Sequence, residues 1–599
     1  MPTKIIELAI AGMTCTGCAT GIAKKFAGKL GILATDVSYP AHKGTFTYDE
    51  GVTSKEEIAA TISASGHFQV TGEVALATAA DGPLGAAPAR PEALTPASQI
   101  SSDLRAGATD RVATATPSAD PAGHGPQGTF FDMIIVGGGS AAFAAAINAN
   151  EQGLSTLIVN GGLPLGGTCV NVGCVPSKYL IRAAESFQHA GHSAFAGVQP
   201  GQPTLEFAKV IREKRDLVNQ MRGKKYEALL ADLENMRVVA GWAEFVDART
   251  IRIKGKDGAE TEYTGLKFIV ATGAAPLIPA IEGLDKVPYF TSESLFEHEA
   301  LPESLTIIGA GYIALEIAQA YQRFGSRVTV VQRSAHVLST QTADVAEELT
   351  RHLRAEGMTI LTGAAAEHVA FDGQRVTLRV GVNGGTQEIV STHLLLAAGT
   401  RPNTQTLGLD KAGVTLTPSG HVQVNAQLET SAPHIYAVGD VTPNPAYVYA
   451  AAYEGKMAVK NAFSGAGLAT DFTALSWVVF TDPQVAGVGL DERGAEAAGL
   501  PVEVSVMPLS EVPRNVAAKD TRGFIKLLRH AETDVLLGAR IVAPEGGELV
   551  SQLTLAIKGG LTVADLAATF YPYLTQSEGI KLAALSFNQD IAKLSCCAS

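Results

Sequence analysis

The sequence predicts an α/β fold of several domains with a small α+β unit at its N-terminus. Three observations carry that prediction. Apolar strands run into Gly-x-Gly turns that open into apolar helices, once near Gly137 and again near Gly309. The first 70 residues read strand, helix, strand, strand, helix, strand, a ferredoxin-like βαββαβ order. Hydrophobic residues make up 46% of the 599 and charged residues 18%, which gives a chain too long for one hydrophobic core and rich enough to build several.

In the N-terminal unit, KIIELAI reads as the first strand and Thr16 to Lys29 as a helix. Ala34 to Ser38 and Gly44 to Tyr48 read as strands, and a second helix starts near Ser54. Residues 71–128 are dominated by Ala, Pro, Gly, Ser and Thr. So few large apolar side chains cannot offset the entropy of ordering, and the segment reads as a flexible tether. From Phe131 the strand, turn and helix pattern begins, and it repeats after Ser304. A mixed α+β region and a short polar tail follow.

The net charge of −13 argues against a nucleic-acid surface, which needs a basic footprint to neutralise phosphates. The opening MPTKIIELAI lacks the apolar core of a secretory signal. The most apolar candidate span, Met133 to Ile147, contains a glycine triplet and follows Asp132, so no membrane span is expected and the cytoplasm is the default location.

The 6 cysteines fall as Cys15/Cys18, Cys169/Cys174 and Cys596/Cys597. Small buried core cysteines would scatter instead of pairing. Thiolates select soft ions such as Hg(II) and Cu(I), so close pairs read as soft-metal or redox sites.

The strand MIIVG leads into Gly137, Gly138 and Gly139, with Ala142 three residues on. This is G-x-G-x-x-A, where glycines let the backbone approach a pyrophosphate and the helix N-terminus stabilises its charge. Gly309, Gly311 and Ala314 repeat the pattern after LTIIG, so two dinucleotides are expected. The strand VTVV of the second unit ends in Gln332 and Arg333 with no acid. A cation there accepts a 2′-phosphate and favours NADPH, the alternative being a solvated loop arginine.

Between the two units lies GGTCVNVGCVPSK, Gly166 to Lys178, which places Cys169 and Cys174 as C-x4-C on a helix. A zinc knuckle is the competing reading, and it needs further ligands and shorter spacing. The segment resembles the active site of the flavin-dependent disulfide reductases, the family of glutathione, dihydrolipoamide and mercuric reductases. The resemblance runs from Phe131 to the end and implies FAD as a second cofactor, a redox-active Cys169/Cys174 pair, and a C-terminal dimerisation domain in a homodimer. It implies that Gly162, Gly167, Thr168, Ala142, Ala243 and Val448 contact FAD, as do Thr272 and Gly273 of an Ala-Thr-Gly motif and Asp440 at the end of TSAPHIYAVGD. Lys178 and Glu316 match the pair beside the flavin, and Tyr312 the gate over the nicotinamide pocket. Cys174 matches the thiol nearer the flavin and Cys169 the exchange thiol. One departure is Asn160, where the family usually ends the strand in Glu; an amide can still bond a ribose hydroxyl.

Near the C-terminus, glutathione-type members place a His five residues before a Glu, as the acid/base for a departing thiol. Here Glu578 is kept and Tyr573 stands where the His should be. A product that is a thiol needs that proton; a released metal atom does not. Mercuric reductases carry a similar Cys-Cys tail that reaches the redox pair of the other subunit, matching Cys596 and Cys597. They also carry a tyrosine matching Tyr226, which with the one matching Tyr573 from the other subunit flanks the metal. The N-terminal GMTCTGC, with Cys15 and Cys18, resembles the heavy-metal-associated domain of soft-metal carriers.

The implied organisation is a heavy-metal-associated domain at 1–70 and a linker at 71–128. An FAD-binding domain at 129–271 and 400–474 surrounds an NADPH-binding domain at 272–399, and dimerisation falls to 475–599. The implied activity is NADPH-driven reduction of thiol-bound Hg(II) through FAD, with the outer cysteine pairs relaying the ion. A high-molecular-weight thioredoxin reductase with a Cys-Cys tail is one alternative, and a soft-metal binding or copper-delivery protein with a flavin redox module is another.

Overall fold

Apolar residues two apart in KIIELAI bury one face of a strand, and that face seeds the first of two structural units. The computed structural model describes residues 3–13, 19, 22–23, 25–26, 29–39, 42–63, 68–73, 128–382 and 384–590. The units divide at Thr116 and Pro117. Cys15, Cys18, Cys596 and Cys597, most of the helix expected over Thr16 to Lys29, and residues 74–127 of the expected tether lie outside the described residues, while 71–73 belong to the last strand of the first unit and not to the tether.

The first unit is a four-stranded antiparallel sheet in the order Ile32–Ser38, Lys43–Asp49, Thr3–Ala11, Gln69–Glu73. Ile6, Leu8 and Ile10 bury on one face against Phe46, Ile58 and Ile62. The helix Lys55–Ser63 starts with a reciprocal cap. Glu57 N donates to Ser54 Oγ at 3.3 Å, and Ser54 N donates to Glu57 Oε2 at 3.2 Å. This is the ferredoxin-like sheet that the sequence order predicts.

The second unit holds three layered regions. A seven-stranded sheet runs Met236–Ala240, Thr156–Asn160, Phe130–Val136, Glu260–Val270, Thr250–Lys254, Trp242–Phe245, with Ile435–Ala437 added beside Glu260–Val270. Its central pairs are parallel, which buries both faces and explains why FFDMIIV and TLIVN are apolar almost throughout. The return of Ile435–Ala437 brings the chain back to this sheet after the intervening region. That region has its own five-stranded parallel sheet: Phe290–Thr291, His393–Leu396, Ser304–Ile308, Arg327–Val331, Thr359–Leu361. A three-stranded antiparallel sheet, Ala364–Phe371, Val376–Val382, Gly385–Ser391, covers it.

The last region is a five-stranded antiparallel sheet from Trp477–Val479 to Val502–Pro508, packed against the helices Gly546–Lys558 and Glu578–Leu585 through a shared core that includes Ile541, Leu553 and Ile580. Phe570 is 98% exposed and Leu555 73% in this region. No helix among the described residues is long and apolar enough to cross a membrane.

Candidate active site

The strand Phe130–Val136 ends at Gly137, whose φ of +123° and whose fit leave no room for a side chain: a Cβ would stand 2.2 Å from Ala271 O. Gly139 then caps the helix Ser140–Glu151 without a side-chain acceptor, which leaves the first N–H groups for an anion. Ala142 is fully buried beneath this turn. Gly167 lies directly on Gly139, since a Cβ on it would meet Gly139 Cα at 2.7 Å. The redox segment is therefore seated on the phosphate-type turn.

Asn160 ends the neighbouring strand Thr156–Asn160. Its Oδ1 lies 2.4 Å from where a Cβ on Gly138 would be, and its Nδ2 donates to Leu163 O at 3.0 Å. The amide nitrogen is thus engaged, and the oxygen keeps the acceptor role a carboxylate would have. Gly162 follows with a positive φ, Thr168 is exposed on the next helix, and Ala243 is buried in Trp242–Phe245. Thr272 Oγ1 donates to Asn403 O at 2.8 Å, which fixes the strand end before Gly273. Asp440 sits in the turn Gly439–Val441, where burial raises its carboxyl above the usual range. Val448 opens the helix Val448–Ser464 and is partly exposed. This cradle, with no room for a Cβ at Gly137, Gly138 or Gly167 and with uncapped N–H groups at the start of the helix Ser140–Glu151, fits a dinucleotide such as FAD.

The second glycine turn repeats the design. Gly309 has φ +108°, and a Cβ there would stand 2.2 Å from Ala397 O. The helix Tyr312–Phe324 begins at Gly311 with no side-chain cap, and Ala314 is buried. Arg333 is exposed two residues beyond the strand Arg327–Val331. Tyr312 is the first residue of the helix Tyr312–Phe324. Solvent reaches 43% of it, yet surrounding atoms push its phenol up to about 12, with Asp440, Tyr447, Glu316 and Cys174 adding to the effect of burial.

The cysteines were expected on one helix. The structure instead places them on two, Cys169 within Gly167–Asn171 and Cys174 as the first residue of Cys174–Gly191. The break falls at Val172 and Gly173, where a Cβ on Gly173 would press 3.0 Å from Thr168 O. The fold-back brings both thiols together as free thiols. Cys174 is held down to about 7, chiefly by the hydrogen bond from Cys169 and next by the positive charge of Lys178. Cys169 moves up, because that same hydrogen bond and burial both favour its proton. The pair titrates as a unit with the thiolate on Cys174. The zinc-knuckle reading finds no support, since no group of three metal-binding side chains occurs among the described residues.

Lys178 lies one helical turn beyond Cys174 and donates to Glu316 Oε2 at 2.7 Å. The other oxygen of that buried carboxylate accepts from Phe480 N at 2.9 Å, and the Phe480 ring lies 4.5 Å below the Lys178 ammonium. Phe480 escaped the sequence reading because nothing in VVFTDP marks it; only folding brings residue 480 to residue 178. Glu454 escaped it too. It is fully buried, accepts from Gly439 N at 2.5 Å and Asn444 Nδ2 at 2.7 Å, and burial pushes it up to about 7. An acidic residue inside the apolar helix Val448–Ser464 was the available signal.

Tyr226 lies in a π-helical turn, Gly223–Glu227, with its ring against Gly166 and edge-on to Phe143 at 4.9 Å. Burial raises its phenol, and the two cysteines add to the shift. Tyr573 lies in the last region, 52% exposed, just before Leu574. Leu574 N donates to Glu578 Oε2 at 3.2 Å, so the retained acid holds the tyrosine's turn where glutathione-type members would orient a histidine.

The family model described as pyridine nucleotide-disulphide oxidoreductase matches residues 131–455, and that family's dimerisation domain matches 475–584. The heavy-metal-associated domain matches 7–68. A mercuric reductase of Staphylococcus aureus is 41% identical over 468 residues, covering 78% of this chain and 84% of that protein. A mercuric reductase of Shigella flexneri is 37% identical over 597 residues, 99% of each. Among solved structures, the Cu(II) complex of the HOCl-induced flavoprotein disulfide reductase RclA from Escherichia coli superimposes with a TM-score of 0.69 at 26% identity, covering 77% of this chain and 99% of that one. LpdA from Mycobacterium tuberculosis gives 0.67 at 28%, covering 76% and 100%. With FAD and NADPH as its cofactors and a heavy-metal-associated domain ahead of its catalytic core, the chain belongs to the pyridine nucleotide-disulphide oxidoreductases, within the mercuric reductase family.

Proposed function

We propose that this chain works in the cytoplasm as a homodimer that gathers Hg(II) from thiol complexes and reduces it to Hg(0). The observation that carries the reading is the asymmetric Cys169/Cys174 pair, a resident thiolate beside a protonated partner, in a chain matched end to end by mercuric reductases.

Cys15 and Cys18 of domain 1–70 take the ion first, and the 71–128 tether lets them present it at an effective concentration that reaches roughly millimolar. Cys596 and Cys597 accept it and carry it to the redox pair of the other subunit. At each transfer a thiolate forms one S–Hg bond as another breaks, so the ion is never free. Cys169, the exchange thiol, takes the ion as its proton leaves, and Cys174, the resident thiolate nearer the flavin, forms the second S–Hg bond. Tyr226 and Tyr573 flank the ion during entry, and Lys178 balances the charge of Cys174. Gly137, Gly139, Ala142, Asn160, Gly162, Gly167, Thr168, Ala243, Thr272, Gly273, Asp440 and Val448 hold FAD. Gly309, Gly311, Tyr312, Ala314 and Arg333 hold NADPH. Bound NADPH and FAD supply the electron pair that converts Hg(II) to Hg(0), a neutral atom with little affinity for thiolate. Tyr573 in place of an acid/base histidine suits a product that takes no proton.

The test is NADPH oxidation by the purified full chain with Hg(II) in excess thiol, set beside oxidised thioredoxin and Cu(II). Turnover with mercury that volatilises the metal is the expected result. Turnover with thioredoxin and none with mercury would overturn the reading. Cys174→Ala should abolish mercury turnover. Removal of residues 1–128 should leave activity on small-thiol complexes.

A further inference from the structure

Asn171 lies between the two redox cysteines and is buried. Its Nδ2 donates to three carbonyls of its own loop, Pro164 at 3.1 Å, Leu165 at 3.1 Å and Gly167 at 2.8 Å. Its Oδ1 accepts from Arg222 Nη1 at 3.1 Å. The same guanidinium donates through Nη2 to Asn219 Oδ1 at 2.9 Å and through Nε to Glu227 Oε1 at 3.1 Å. One planar fork therefore joins the Cys169 segment to Asn219, in the helical turn before the one that carries Tyr226, and to Glu227 at the far end of that turn. That turn is π-helical, closed by Ala228 N donating to Gly223 O, a form found mostly where function requires an irregular backbone. The Tyr226 ring in turn lies on Gly166, at the start of the cysteine segment, so the two elements touch at a second point.

We propose that Arg222 is a positioning residue for metal entry, setting the spacing between Cys169 and Tyr226 by bracing the Asn171 loop against the π turn. The Tyr226 part rests on the mercury reading above; the bracing of Cys169 does not. Arginine suits the task because its rigid fork serves three acceptors in different directions. Lysine keeps the charge but has no fork, so it separates bracing from simple electrostatics.

The experiment uses the full-length, FAD-loaded protein with Arg222→Lys, Arg222→Ala and Glu227→Ala. In the NADPH-reduced protein, iodoacetamide labelling of Cys169, located by mass spectrometry, reports the loop without mercury. A loosened loop breaks the hydrogen bond to Cys174, so both Arg222 variants should label Cys169 at least about threefold faster. With thiol-bound Hg(II), kcat should fall about tenfold in both while the rate of flavin reduction by NADPH stays within about twofold. Glu227→Ala removes the acceptor of Arg222 Nε but keeps the bond to Asn171, and should lower kcat without changing Cys169 labelling. Should Arg222→Lys match the parent protein in both labelling and kcat, the proposal is wrong, and it also decides the matter where the alanine variant does not fold. An unchanged kcat in Glu227→Ala removes the link to Tyr226. If the parent protein itself turns over no mercury, the functional reading fails while the labelling result still judges the brace.

Discussion

Lys178 and Glu316, 138 residues apart, meet at 2.7 Å across the boundary between the two dinucleotide-binding regions. The carboxylate is buried and the ammonium about one-third exposed. Lys178→Met would leave Glu316 with only the Phe480 N–H. Solvent screening on the lysine side reduces the usual cost of breaking a buried pair to roughly 1–3 kcal/mol. A lowered melting temperature and a raised Cys174 pKa are expected together, since Lys178 also holds that thiol down. An unchanged thiol titration would show that the lysine does not act on Cys174.

The reduced protein should show a pH-dependent nucleophile. With Cys174 held to about 7, its thiolate fraction rises with pH and levels off above that value. Alkylation of Cys174 should increase about tenfold per unit below pH 7 and flatten above it. Because the folded pKa is depressed, the associated stability is full above the unfolded thiol value near ~8.5 and is lost as pH falls through 7. A midpoint close to that of an ordinary thiol would refute the assignment.

Glu454 predicts the opposite trend. Its folded pKa is raised to about 7, so the native state holds a proton that the unfolded chain has already lost. Stability should decline as pH rises from the ordinary glutamate range towards 7 and then stay level. Glu454→Gln removes that decline, because an Asn444 amide flip can pair with the new amide. The variant should be more stable than the parent at pH 8 by about 2–3 kcal/mol and equal to it at pH 5. Thermal melts at both pH values measure the difference.

Asn160→Glu restores the acid usual at that strand end. The side-chain oxygen already lies over Gly138. A carboxylate there accepts a stronger hydrogen bond from a ribose hydroxyl, worth about 1 kcal/mol. FAD release on dilution, followed by the gain in flavin fluorescence, should slow about fivefold. Faster release would mean that the amide is the better fit at this position.

The glycine turns at Gly137 and Gly309, the alternating apolar strand of the first unit and the C-x4-C segment were legible in the sequence, because each is a local pattern with a local physical cause. So were Asn160 and Tyr573 as departures, since both stand at fixed offsets from motifs. The dimerisation region was legible only through resemblance, as its antiparallel strands carry no spacing that distinguishes them.

Contact across long stretches of chain decided the rest. Gly173 breaks the expected helix between Cys169 and Cys174, and the fold-back makes one thiol the donor and the other the thiolate. Phe480 reaches Lys178, Arg222 reaches Asn171, and Glu454 meets Gly439 only after the sheets have closed. Residue types and their intervals therefore set which chemistry this polypeptide carries. Which sulfur ionises, and what holds it in place, depends on hydrogen bonds and burial that do not exist until distant segments pack together.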